Sequence, residues 1–202
     1  MNSKASKTAE QFAIQMDCFA RAGMSGAVML NFGSLLGHCR EGGIIGYDSD
    51  MDLGIISSMV TIEQETEYVR LVRAAGLTEY RDMSAKRPDT QRLFWMSIRK
   101  DPAGIGYKCC HWFWIEHAGI LWHHKGPGSL IKGIPASMLQ VGPEVEFLGV
   151  KVRIPRNAGA CLDFWYPDWA TPRTGGNSET RFHMKVQDWK DEKTWKIEDR
   201  GY

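Results

Sequence analysis

The chain has 202 residues, 43% hydrophobic and 24% charged, with a formal net charge of +1. Length and composition fit one soluble, well-cored domain, and the near-neutral charge gives no overall attraction to nucleic acid or an anionic membrane. No run of about 18 apolar residues occurs, and the polar start MNSKASKTAEQ has no apolar core of a secretory signal, so neither a membrane span nor secretion is expected.

The five cysteines form no spaced framework, and Cys109 and Cys110 are adjacent. Reduced thiols in a cytoplasmic compartment are the reading that fits. No pair has the CxxC spacing of a zinc finger or ribbon. Eight tryptophans, several of them between Trp95 and Trp122, predict an aromatic-walled sheet or cleft.

In chain order, residues 8–22 read as a helix, because Phe12, Met16, Phe19 and Ala20 share one face. Thr8 and Gln11 have capping-box spacing, with Gly23 as terminator. Residues 26–32 read as a buried strand delivering Gly33-Ser34, followed by a short amphipathic helical turn over 34–40 and a glycine-rich loop. The next strand carries Asp48, Asp50 and Asp52 on one face and Met51, Leu53 and Ile55 on the other. Residues 61–75 read as a second helix with a Thr61/Gln64 capping box and Gly76 beyond its end. Period-two alternation over 90–100, a turn at Asp101-Pro102-Ala103-Gly104 and a strand over 107–116 predict a β-hairpin. A further strand is read over 119–123, with His123-His124-Lys125 as a solvated turn. A short hairpin over 145–154 centres on Gly149, and a third helix covers 155–166. From about residue 173 the chain is polar, with Trp189 and Trp195 able to pin it to the body. The whole, residues 1–202, reads as one α+β domain with a mixed β-sheet flanked by helices.

The acidic strand carries the chemistry. Alternate strand residues lie about 6.6 Å apart, so Asp50 and Asp52 can each give one oxygen to a single Mg²⁺ or Mn²⁺ and leave room for waters and phosphates. Such an ion neutralises a transferring phosphoryl group and aligns its leaving group. Gly33-Ser34, at a strand-to-helix junction, offers backbone N–H groups, a hydroxyl and a helix N-terminus to a phosphate. The structural alternative is an edge strand with solvated acids beside an ordinary strand–turn–helix.

A G-S followed at a distance by D-h-D-h, where h is apolar, resembles the signature of the nucleotidyltransferase superfamily. The longer string GSLLGHCREGGIIGYDSDMDLGI is similar to its LicD/fukutin branch, whose members show G-[ST]-L-L-G, Arg-x-Gly, an aromatic and D-x-D-h-D. FLGVKVRIPRNAGACLDFWYPDWATP resembles that family's closing segment at Phe147, Gly149, Val152, Pro155, Tyr166, Trp169 and Pro172. The resemblance implies a nucleotidyltransferase-like fold and transfer of a phosphorylated alcohol or sugar group, such as phosphocholine or a polyol phosphate. The implied donor is CDP-activated and the implied acceptor is a glycan hydroxyl. Carried over by position, Asp50 and Asp52 are metal ligands with Asp48 beside them, Gly33 and Ser34 hold donor phosphate, and Arg40 is a charged member of the site.

Relatives also carry a third acid downstream, which spacing places within residues 107–114. This chain has KCCHWFWIE there. His111 is nearest, as ligand, general base or packed core residue, and Glu116 supplies a carboxylate only after a register shift. Two other functions stay open: transfer of NMP from an NTP to a small molecule, protein or RNA end, and a catalytically reduced nucleotide- or glycan-binding homologue. Stable binding to a large nucleic acid is not expected.

Overall fold

The structure is a computed structural model describing residues 3–46, 48, 50–79, 85–86, 93–99, 108–117, 119–123, 130–166, 168–171, 182–185 and 196–199. Helix α1 (Ser3–Arg21) leads into strand β1 (Val28–Leu30), helix α2 (Phe32–Glu41) and strand β2 (Asp50–Ile56). A 3-10 turn at Ser57–Met59 precedes helix α3 (Ile62–Ala74). Strands β3 (Thr78–Glu79), β4 (Ala85–Lys86), β5 (Leu93–Arg99), β6 (Lys108–His117), β7 (Ile120–His123) and β8 (Leu130–Pro135) follow. Strands β9 (Val141–Phe147) and β10 (Val150–Pro155), helix α4 (Ala158–Trp165) and strands β11 (Phe182–Lys185) and β12 (Lys196–Asp199) complete the order.

The described strands join one sheet in the order β12-β11-β8-β7-β6-β2-β1-β10-β9, with β5 on the first part of β6 and β3 and β4 on β5. Two contacts, β1 with β10 and β2 with β6, are parallel, and the others are antiparallel. The sheet is mixed and the class is α+β.

Local chemistry explains most boundaries. Thr61 caps α3 as expected: its Oγ1 accepts from Gln64 N at 3.2 Å, and its own N–H donates to Gln64 Oε1 at 2.9 Å. Phe12, Met16 and Phe19 of α1 are buried, and Phe19 stacks on Tyr68 of α3 at 3.9 Å between ring centres. The capping box expected at Thr8 is not formed, because α1 already starts at Ser3 and both Thr8 and Gln11 lie buried within it. Leu148 and Gly149, at φ 54° and 77°, make the two-residue turn between β9 and β10. Two positive φ angles in succession are what a type I′ hairpin needs. Pro155 closes β10 rather than opening the third helix, which starts after Asn157, whose side chain accepts from Ala160 N at 3.2 Å.

The expected 90–100/107–116 hairpin is present as β5 and β6; its turn at 101–104 lies outside the described residues, as do Trp189 and Trp195. The polar region expected from about residue 173 supplies β11, which pairs with β8, and β12, which pairs with β11. Phe182 and Met184 do alternate with His183 and Lys185, but over only four residues in a polar, turn-rich setting, too short a run for alternation to mark a strand.

Candidate metal centre

The site forms where β1 turns into α2 beside β2. Phe32, the first residue of α2, has φ 36°, a left-handed conformation costly for an aromatic residue. This sharp turn brings the Gly33 N–H to 3.2 Å from Asp52 Oδ2. Ser34 Oγ accepts the Asp52 backbone N–H at 2.8 Å, and the Asp52 carbonyl accepts from Asn31 N at 3.0 Å. Trp112 Nε1 donates to Asp52 Oδ1 at 2.7 Å. Asp52 is therefore held through its backbone and both carboxylate oxygens, and it is buried.

Asp48 lies just before β2 instead of within it. Its Oδ1 accepts from Asp50 N at 3.4 Å, and its own N–H donates to Ile45 O at 2.9 Å. A Cβ added to Gly33 would stand 2.5 Å from Asp48 Oδ2 and 3.3 Å from Asp52 Oδ2. Only glycine allows the helix start to approach both carboxylates this closely.

Parallel pairing of β2 with β6 sets Asp52 opposite Cys110. Cys110 Sγ is 3.5 Å from Asp50 Oδ2, and ligand atoms of Asp50, Asp52 and Cys110 all lie within 4.8 Å of one another. Burial, and then the charge of Asp50, push the Asp52 carboxyl up from 3.8 to about 7; the bond from Trp112 opposes this, Asp48 adds to it, and the Gly33 N–H opposes it. Tyr166, just beyond α4, is pushed well above its ordinary range by burial and by the charges of Asp52, Asp48 and Asp50, so its hydroxyl keeps its proton in their field. Converging carboxylates whose mutual repulsion a cation would relieve, with a thiol beside them, fit a divalent ion. Asp50 and Asp52 are the residues that would hold it, with Cys110 adjacent.

The other expected site residues are placed differently. Strand alternation turns His111 away from the face shared by Cys110 and Trp112. It is fully buried against α1 and α3, with Nε2 at 3.1 Å from Tyr68 Oη and 3.2 Å from Gln15 Oε1. Glu116 is exposed near the far end of β6, paired in register with Leu121 of β7. Neither is brought to the aspartates. The Gly33 N–H and Ser34 Oγ, expected to hold phosphate, are engaged with Asp52. The largely buried Arg40 side chain reaches Trp169 O at 3.5 Å and Glu41 Oε1 at 2.7 Å, tying α2 to the segment after α4.

Cys110 and Trp112 were not singled out as site residues in the sequence. The feature that marks them is parity with each other on β6, but their face follows only from the register with β2. His123, expected in a solvated turn, is buried among Phe32, Trp112 and Trp114, with ring centres 5.3, 4.7 and 4.5 Å away. Phe32 also packs on Trp165 at 4.7 Å, so the anticipated aromatic wall stands directly beside Asp52.

Fold and site together define an α+β protein with a carboxylate-based candidate metal centre on the strand next to a helix N-terminus. The chain matches the family described as LicD/FKTN/FKRP, nucleotidyltransferase domain, over residues 26–157, more than half its length. The chain belongs to that family, and this places it among transferases. A comparison with curated proteins found no match. No helix among the described residues is long and apolar enough to cross a membrane.

Proposed function

We propose that the protein is a metal-dependent phosphotransferase with a nucleotidyltransferase-like fold. It moves a phosphorylated alcohol or sugar group, phosphocholine-like or polyol-phosphate-like, from a CDP-activated donor to a glycan hydroxyl. The observation that carries this reading is the clustering of Asp50 with Asp52, and of Asp52 and Asp48 with the N-terminus of α2, in a chain of this family.

Asp50 and Asp52 hold Mg²⁺ or Mn²⁺. The bound ion supplies charge neutralisation at the transferring phosphoryl group. Gly33 and Trp112 fix the Asp52 carboxylate and Ser34 fixes its backbone, so that little reorganisation is left when donor binds. The Tyr166 hydroxyl stays protonated in the field of the three aspartates. Five free cysteines support a reducing, cytoplasmic setting. A second reading, nucleotide binding with little transfer, is favoured by one observation: the residue opposite Asp52 is a thiol and not a third acid.

A thermal-shift panel of CDP-choline, CDP-ribitol, CTP and ATP, each with and without Mn²⁺, tests the proposal. Metal-dependent stabilisation by a CDP-alcohol supports it, whereas stabilisation by NTPs alone favours NMP transfer. A response that is absent or indifferent to metal contradicts it.

A further inference from the structure

Cys109 and Cys110 are both buried, yet they face opposite sides of β6. Cys109 Sγ lies 3.8 Å from His111 Nε2 in the core, whereas Cys110 Sγ lies 3.5 Å from Asp50 Oδ2. Cys110 stands at the register position across from Asp52 and shares its face with Trp112, which is bonded to that same carboxylate. Three ligand atoms from two adjacent strands, two oxygens and one sulfur, thus lie within 4.8 Å of one another.

We propose that Cys110 is a third ligand of the metal centre and shifts its preference from Mg²⁺ toward thiophilic divalent ions. The inference rests on the reading of Asp50 and Asp52 as metal ligands. Mg²⁺ takes oxygen ligands in a near-ideal octahedron and keeps several waters. A sulfur donor favours softer ions such as Zn²⁺, Cd²⁺ or Co²⁺. Bonds of about 2.0–2.3 Å suit zinc with carboxylate and thiolate donors, and small side-chain rotations bring a trio this close to that geometry. On binding, a sulfur–metal bond forms and the thiol proton passes to solvent. Three protein ligands leave a position open for substrate oxygen, the layout of catalytic rather than structural sites.

The test uses the full chain with Cys39→Ser, which removes the exposed thiol, titrated with Cd²⁺ or Co²⁺ in the absence of nucleotide. The expected result is a near-ultraviolet thiolate-to-metal charge-transfer band that is kept in Cys109→Ser and lost in Cys110→Ser. Competition calorimetry should show the preference for Cd²⁺ over Mg²⁺ falling at least about 100-fold in Cys110→Ser, with Cys110→Asp gaining Mg²⁺ affinity. Circular dichroism of each variant checks the fold. Cd²⁺ or Co²⁺ binding that is lost in Asp50→Asn but gives no charge-transfer band overturns the role of Cys110 alone. A band that survives Cys110→Ser does the same. Absence of binding in both the parent chain and Cys110→Asp overturns the Asp50/Asp52 assignment together with it.

Discussion

Replacing Asp52 with asparagine should abolish one component of the pH dependence of folding. In the native, metal-free protein the Asp52 carboxyl sits at about 7 against 3.8 for the unfolded reference, chiefly because it is buried beside Asp50. The native state binds this proton more tightly than the unfolded chain does. The stabilisation is complete below pH 4, declines as pH rises through about 7, and is gone above it. Its size is roughly 4 kcal/mol. Asparagine cannot ionise, so the variant lacks this decline; its amide also sets a donor against the Gly33 N–H, costing about 1–3 kcal/mol at every pH. Urea denaturation in EDTA from pH 4 to 9 should give a wild-type-minus-variant difference that favours wild type at low pH, falls by a few kcal/mol between about pH 4 and 7, and is flat above that. Mn²⁺ at pH 8 should restabilise wild type but not the variant, by mass action on the native state. A difference that is flat with pH would refute the account of Asp52.

Three further outcomes are expected. Gly33→Ala forces a Cβ against Asp48 and Asp52, so Mn²⁺ affinity measured by calorimetry should fall at least about tenfold. Trp112→Phe removes the 2.7 Å donor to Asp52; the loss of stability with pH should move to higher pH, and metal affinity should drop about 10–100-fold. His111→Ala leaves the buried Tyr68 hydroxyl short of a partner and opens a cavity, costing about 2–4 kcal/mol in urea melts. Its metal affinity should be unchanged, and a loss of affinity at native stability would return His111 to the site.

The α1 stripe, the Thr61/Gln64 cap, the β5–β6 hairpin and the Gly149 turn were all legible, because each is decided by residues close in sequence. So was the proximity of Gly33 to the aspartates, since a strand-to-helix turn and an acid-bearing strand together restrict the geometry. The third position of the site was not. KCCHWFWIE is apolar on both faces, as expected for a strand flanked by others, so alternation alone does not say which parity meets the carboxylates. Linear spacing favoured His111, and the register with β2 chose Cys110. His123 was misplaced for a related reason: in sequence it runs into the polar pair His124-Lys125, but Phe32 of α2 and Trp112 and Trp114 of β6 enclose it.

The central claim, a divalent ion held by Asp50 and Asp52 at the donor phosphates, is tested most directly by crystals grown with CDP and Mn²⁺ and measured for anomalous scattering. The account predicts an anomalous peak about 2.0–2.3 Å from a carboxylate oxygen of each aspartate, with diphosphate oxygens in the remaining positions. Bound CDP with no peak between these carboxylates, or with the ion held by other residues, would contradict it.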